Sequence, residues 1–411
     1  MSTETKLMNK NFLLFVAGWE LSMIGDALLR FALPLYIFLT TNNATLMGTL
    51  LTWTSLPLIF FTPIGGVMAD RFNKRFLMVI MNLVIGMTTA LYLIFLDQID
   101  MVWFTPLMML ILFTLASLLT PSAEATIPAL VPSEQLVKAN GITFLLTIFS
   151  SVGAPMVAGF MLERGDLSHL LWLSASLFSL ASLVKSWVKI PYQKTKMETG
   201  ILKLVINDLK LAYHFVTKEK PQLGKVILVI SLASFIIAPI MSVALSVLVT
   251  GYFGGSETVA GLAQGLVVFG GTFGVVFIGI LGKKATVEIM RPLLFVLTGL
   301  LLLTGIIFRT SLSQEIIFIL TIGTFFVSLS FMTVLAIISW AYLQENTSET
   351  LIGKVMALNG SLVALGVALG NSLYGFLFDF FGANPAYVFF ILTGISLVIS
   401  LVSKIKLEND I

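Results

Sequence analysis

Cysteine is missing from this 411-residue chain, so neither a disulfide framework nor a thiolate metal site is available. Histidine is nearly missing too: His169 and His214 are the only two, and their distance in sequence argues against zinc chemistry. No G-x-x-x-x-G-K-[ST] string occurs, and no hydrophilic stretch is long enough to hold a nucleotide-hydrolysing domain. Charge is scarce as well, at 11% Asp, Glu, Lys and Arg against 57% hydrophobic residues, with a mean hydropathy of +1.01. This composition excludes an ordinary soluble domain and places the chain in lipid. No cofactor, metal or nucleic-acid motif is visible.

Nearly charge-free runs cover residues 12–40, 46–69, 76–96, 101–121, 139–162 and 169–190. A second set covers 223–250, 258–281, 289–308, 316–343, 352–378 and 384–403. Most reach the roughly 20 residues a helix needs to cross the hydrocarbon. They are too long and too uniformly apolar for barrel strands, and backbone groups in lipid must be satisfied within the segment. The expectation is an all-α integral membrane protein with twelve transmembrane helices in two six-helix halves. The first run outlasts a signal peptide and carries ionisable residues, so it reads as an uncleaved span.

Lysine and arginine set the orientation. With a cytoplasmic amino terminus, 21 of the 24 basic residues fall in inner termini and loops, Lys185 among them; the other three are Arg30, Arg164 and Arg309. Both termini are then cytoplasmic in a multi-pass plasma-membrane protein. The only long hydrophilic connection divides the chain into 1–190, a linker at 191–222, and 223–411. Within the linker, Lys203, Asn207, Lys210 and His214 lie opposite Leu202, Val205, Leu209 and Ala212, the pattern of an amphipathic helix on the inner membrane surface. The connections DRFNKR (70–75) and GKKATVEIMR (282–291) occupy corresponding places in the two halves. Such an internal repeat suits a transporter with its site between two pseudo-symmetric halves.

The first span carries Glu20, Asp26 and Arg30 in the string WELSMIGDALLR (19–30). Each costs about 2.5–3.5 kcal/mol at mid-membrane. Asp26 and Arg30 are four residues apart on one face, where an acid preceding a base can pair. Glu20 is ten residues from Arg30 and cannot easily share it, so it faces a cavity, meets another helix or is protonated. Withdrawal from water favours the protonated form of a carboxyl, as proton exchange near neutral pH requires. Two readings stand. In one, Asp26 is the proton-coupling site with Arg30 as modulator, and Glu20 is a second site or a selector for cationic substrates. In the other, a buried pair fixes helix packing and Glu20 reaches the interface.

The most specific string is GGVMADRFNKRFLM (65–78). Gly66 permits close helix approach, Asp70 can face the positive end of a neighbouring helix, and Arg71, Lys74 and Arg75 sit at the inner interface. These five positions resemble the signature G-x-x-x-D-R-x-G-R-K/R of the major facilitator superfamily. Asn73 replaces the usual glycine, and asparagine is among the few residues that tolerate a left-handed turn. The resemblance implies the major facilitator fold and an inner gate closed against the start of the eleventh span, at residues 351–354. The fifth-span string GAPMVAG (153–159) retains Gly153, Pro155 and Gly159 of a pattern found in the family's antiporters, with Ala154 and Ala158 in place of glycines. Proline mid-span kinks a helix, and small neighbours admit close packing.

IPALVPSEQLVKANG (127–141), Ser22-x-x-Gly25-Asp26, and YLQENTSETLIGKVMALNGSL (342–362) with its continuation to Asp379 resemble the subgroup of macrolide efflux proteins and enterobactin exporters. This implies proton-coupled export of amphipathic or hydrophobic small molecules. Glu20 and Asn82 depart from the subgroup, where glutamine and an acidic residue are frequent. From the spans that line the cavity in this superfamily, Tyr36, Gln264, Trp340, Asn359 and Asn371 are candidate ligand contacts, with packing as their alternative role. Substrate and protons are the expected partners of a monomer. A siderophore or metabolite exporter of the same fold, and a non-transporting membrane scaffold, are the competing readings.

Overall fold

The computed structural model describes residues 9–96, 101–132, 135–165, 167–190, 201–348, 351–382 and 384–403. The sequence-assigned linker residues 191–200 lie outside them, as do Lys6, Lys404 and Lys406. Within them the secondary structure is helical: α1 (Lys10–Thr41), α2 (Ala44–Arg71), α3 (Lys74–Phe95), α4 (Met101–Glu124), the short α5 (Ile127–Leu130), α6 (Leu136–Glu163), α7 (Leu167–Ser186) and α8 (Ile201–His214). Then follow α9 (Pro221–Pro239), α10 (Glu257–Leu281), α11 (Met290–Ile307), α12 (Gln314–Glu345), α13 (Ile352–Phe381) and α14 (Pro385–Val402). Twelve of the described helices are long and apolar enough to cross a membrane.

Two compact units emerge. One contains the chain up to Ile37 together with Phe60–Val205; the other contains Phe38–Ile59 and the chain from Ile206 onward. The turn between α1 and α2, which the sequence division assigns to the amino-terminal half, packs with the second unit.

In the first unit α3 lies along α7. Gly86 makes room for Ser179, and the Ser182 hydroxyl donates to the Val79 carbonyl at 2.8 Å. Between α3 and α4 the Tyr92 and Thr105 hydroxyls bond at 2.7 Å. In the second unit small residues set the spacing, as expected where lipid supplies no hydrophobic drive between helices. On α13, Gly366 and Gly370 lie against the α9 backbone at Ser231 and Phe235. The Thr298 hydroxyl of α11 meets those of Ser396 (2.7 Å) and Ser400 (3.2 Å) on α14.

On α8, Val205 and Ala212 are buried while Lys203, Asn207, Lys210 and His214 are exposed. Lys354 of α13 reaches Asp208 at 2.8 Å. Past α8 the helix widens into a π segment over Phe215–Glu219, where His214 Nδ1 is 3.3 Å from Glu219 Oε1.

Candidate functional site

Asp26 sits 16 residues after Lys10 and 15 before Thr41 in α1, about 24 and 22 Å from the helix ends at 1.5 Å per residue. It is therefore mid-helix. Arg30 Nε donates to Asp26 Oδ2 at 2.5 Å, with the side chains 40% and 21% exposed respectively. The Arg30 guanidinium also lies over the Phe113 ring of α4, 4.2 Å from its centroid. A charge-assisted bond on one side and a ring face on the other fix the guanidinium plane. The pair remains partly open, so its carboxylate can be reached without unpacking the unit.

Glu20 points elsewhere. Its Oε1 accepts from the Ser150 hydroxyl of α6, and its buried Oε2 has no hydrogen-bond partner. Of the outcomes foreseen for this residue, meeting another helix is the one found. A carboxyl oxygen buried without a partner is costly, and Glu20 is a second ionisable position on α1.

Lys185 is a correction to the sequence reading. Expected with the inner loops, it lies in the last turn of α7, wholly buried, with its stem against Gly18. Its Nζ donates to the Ser22 hydroxyl at 2.8 Å and sits 5.8 Å from the Trp19 ring centroid. Ser22 lies 2.7 Å from Asn82 Oδ1, and Asn82 Nδ2 donates to the Met78 carbonyl at 2.6 Å. A polar chain thus crosses α7, α1 and α3. The side chain turns inward because Gly18 leaves a slot beside α1 that the lysine methylenes fill.

The basic motif shows two differences from expectation. A Cβ at Gly66 would meet nothing within 4 Å, whereas Gly65 faces the Leu118 carbonyl of α4 at 2.9 Å and is the close-approach glycine. Neighbouring residues on a helix point about 100° apart, so only one of the two can face α4. Asn73 is not left-handed: with φ −65° and ψ 110° it is the extended N-cap of α3, accepting the Phe76 N–H at 3.3 Å. Arg71 ends α2, and Lys74 and Arg75 open α3. The Asp70 side chain lies outside the described residues.

On α6, Gly153 faces open space, while Ala154, Pro155, Ala158 and Gly159 are buried. Close packing is carried by the alanine side of this motif. Of the proposed ligand contacts, Asn371 is buried and accepts from the Ser242 hydroxyl at 2.6 Å. Asn359 is buried with Oδ1 unpartnered, Gln264 and Tyr36 are half-buried, and Trp340 is 55% exposed. None of the five lines the cavity of about 480 Å³ in the second unit, which Phe38, Asn42, Tyr252 and Asp379 help to form. Among the described residues, no three His, Asp or Glu side chains gather where they could hold a metal ion.

Residues 20–371 match the sequence profile of the Major Facilitator Superfamily. The chain is 24% identical over 405 residues to macrolide efflux protein A of Streptococcus pyogenes, covering 96% of this chain and 95% of the relative. It is 27% identical over 169 residues to the enterobactin exporter EntS of Shigella boydii serotype 4, covering 38% of each. Its fold is similar to that of the nucleoside transporter NupG (TM-score 0.73, 12% identity, 96% and 98% of the two chains). It is similar also to a D-xylose-proton symporter (TM-score 0.72, 15% identity, 95% and 96%).

Proposed function

This chain belongs to the Major Facilitator Superfamily and is a transporter; from that premise we propose that it exports amphipathic, macrolide-like small molecules in exchange for protons. Transport proceeds by alternating access across the plasma membrane, with both termini in the cytoplasm and one chain as the working unit. The six-helix halves, 1–190 and 223–411, move against each other, and the linker at 191–222 lays α8 on the inner surface.

The observation that carries the coupling is the Asp26–Arg30 pair at the middle of α1, held on Phe113 and partly open. A proton on Asp26 replaces its ion pair with Arg30. Return of the ionised carboxylate restores the pair and discharges the proton to the other face. Glu20, with one oxygen unpartnered, attracts the cationic end of a substrate. Asp70, Arg71, Lys74 and Arg75, with Gly66, form the inner gate. Gly153, Pro155 and Gly159 give α6 the shape that favours antiport. Tyr36, Gln264, Trp340, Asn359 and Asn371 contact the ligand.

The substrate class is supported by the 24% likeness to macrolide efflux protein A along nearly the whole of both chains. The shorter likeness to the enterobactin exporter supports a siderophore as the second substrate reading. Accumulation of macrolides and lipophilic cationic dyes in efflux-deficient cells tests both. Wild type should lower accumulation, and either a protonophore or Asp26→Asn should abolish that effect with the protein still inserted. Unchanged transport by Asp26→Asn would remove Asp26 from the mechanism, and no effect on any drug would turn the search to siderophores.

A further inference from the structure

Two helices end on the string Gly-x-x-x-Asp: α2 with Gly66 to Asp70, and α13 with Gly375 to Asp379. At the end of α13 the aspartate has a well-defined role. Asp379 Oδ1 accepts the N–H of Ala44 at 2.9 Å, and Oδ2 accepts that of Thr45 at 2.7 Å. These are the first two residues of α2. The next free donor, the Leu46 N–H, goes to Asn43 Oδ1 at 2.7 Å, and the Met47 N–H reaches the Asn43 carbonyl at 3.2 Å. A helix start leaves four N–H groups without intrahelical partners and carries about half a positive charge. Here two of those donors are satisfied by a carboxylate 335 and 334 residues away in sequence.

Deeper along the same two helices the seam tightens. A Cβ on Gly48 would strike the Asn371 carbonyl, and one on Gly375 would strike that of Ala44. The Thr52 hydroxyl lies 2.5 Å from the Ala368 carbonyl and 2.7 Å from the Ser372 hydroxyl. The Ser361 hydroxyl donates to the Ile59 carbonyl at 3.2 Å. At the mouth of the seam, the carboxylate of Asp379 bonds the first two N–H groups of α2. Asp379 is itself exposed and borders the 480 Å³ cavity, so on separation water can take over both the carboxylate and the two N–H groups. The bonds favour the closed seam, while rehydration keeps the cost of opening small.

We propose that Asp379 is a latch that holds the start of α2 on the end of α13, and that release of the Ala44 and Thr45 N–H groups opens the outer face. The inference rests on the topology and alternating access proposed above, which place this end outside. Asp379 acts as a positioning residue and touches no substrate.

The absence of cysteine makes the test direct, since one introduced thiol is the only thiol. Ser372→Cys sits seven residues from Asp379, about 10 Å down the helix, and reports opening of the seam. Asn384→Cys, exposed before α14, reports access to the face alone. Whole cells are treated with a membrane-impermeant trimethylammonium thiosulfonate. Asp379→Asn should raise the labelling rate at Ser372→Cys roughly tenfold, through loss of the capping charge and one bond, and leave Asn384→Cys unchanged. Gly375→Ala, which pushes α2 off α13 without touching charge, should act in the same direction and decides the matter if Asp379→Asn does not reach the membrane. Equal Ser372→Cys rates with and without these changes would overturn the latch. Labelling of Asn384→Cys from the inner face only would overturn its place on the outside. The rates need no transported molecule, so a failed drug panel would count against the export reading and leave this result standing.

Discussion

Alanine placed at two glycines of one helix should have opposite effects. Gly360 and Gly370 both lie inside α13. A Cβ at Gly360 would meet nothing within 4 Å, so Gly360→Ala adds a methyl to open space. The gain is the helix preference of alanine over glycine, about 0.5–1 kcal/mol. A Cβ at Gly370 would lie 2.6 Å from Pro239 Cγ and closer still to the Phe235 carbonyl oxygen of α9. Ordinary van der Waals contact begins near 3.4 Å, so α9 and α13 must part by about 0.8 Å at least. The Phe235 oxygen is main chain and cannot swing aside as a flexible side chain would. Overpacking of this kind costs about 1–3 kcal/mol, and more where backbone must shift; the same helix preference offsets part of it. Because the helix preference is common to both, the two variants should differ by the overpacking cost alone, about 1–3 kcal/mol, with Gly360→Ala above wild type and Gly370→Ala below. Thermal unfolding of the purified protein in detergent, followed by size-exclusion recovery after heating, reads the order directly. Equal midpoints, or Gly370→Ala the higher, would refute the argument that main-chain contact sets the α9–α13 spacing.

Two further predictions concern charge. Lys185→Met fills the slot beside Gly18 and removes a buried ammonium that no carboxylate pairs with among the described residues, so it should keep or raise stability, by about 0–3 kcal/mol. Lys185→Ala empties the same slot and should lower stability by about 2–4 kcal/mol; a fall in melting temperature with methionine as large as with alanine would show that the ammonium is a net stabiliser. Asp208→Asn breaks the ion pair with Lys354, whose partners are 41% and 31% exposed respectively. Screening leaves such a pair worth about 1 kcal/mol or less, and a loss above 2 kcal/mol in the same melting assay would contradict that.

Much of the fold was legible because membrane spans declare themselves by length and polarity, which need no tertiary information. Twelve apolar runs became twelve spanning helices, and the charged pair Asp26–Arg30 inside α1 followed from a spacing of four. Relations between helices were less visible. Glu20 meets Ser150 at a separation of 130 residues and Lys185 meets Ser22 at 163; no periodicity reaches that far. Lys185 was misplaced because a basic residue at the end of a span reads the same whether it snorkels or turns inward. The choice between Gly65 and Gly66 hung on the rotation of α2, which two adjacent glycines cannot reveal. The cap at Asn73 is readable in principle, since asparagine before a helix is a strong start signal, whereas the family pattern, with glycine at this position, points to a left-handed turn instead.

The two units use their polar and small residues differently, and this bears on how substitutions should sort. In the first unit the ionisable groups Glu20, Asp26, Arg30 and Lys185 gather along α1 and α7: Glu20 and Lys185 each bond one hydroxyl, and Asp26 and Arg30 pair with each other, with Arg30 on a ring face. In the second unit, charged side chains stand mostly at helix ends, and the interior contacts are glycine against main-chain carbonyls and hydroxyl against hydroxyl. Under-satisfied charge is expensive in lipid and persists where a protein uses it, whereas close main-chain packing is sensitive to volume and indifferent to protonation. Isosteric changes that remove a charge, such as Asp26→Asn and Glu20→Gln, should therefore spare melting temperature relative to transport. Single methyl additions at Gly270, Gly366 or Gly370 should depress melting temperature and reduce transport only in proportion to the folded protein that remains. A charge-removing variant of α1 that melts as early as Gly370→Ala would break this division.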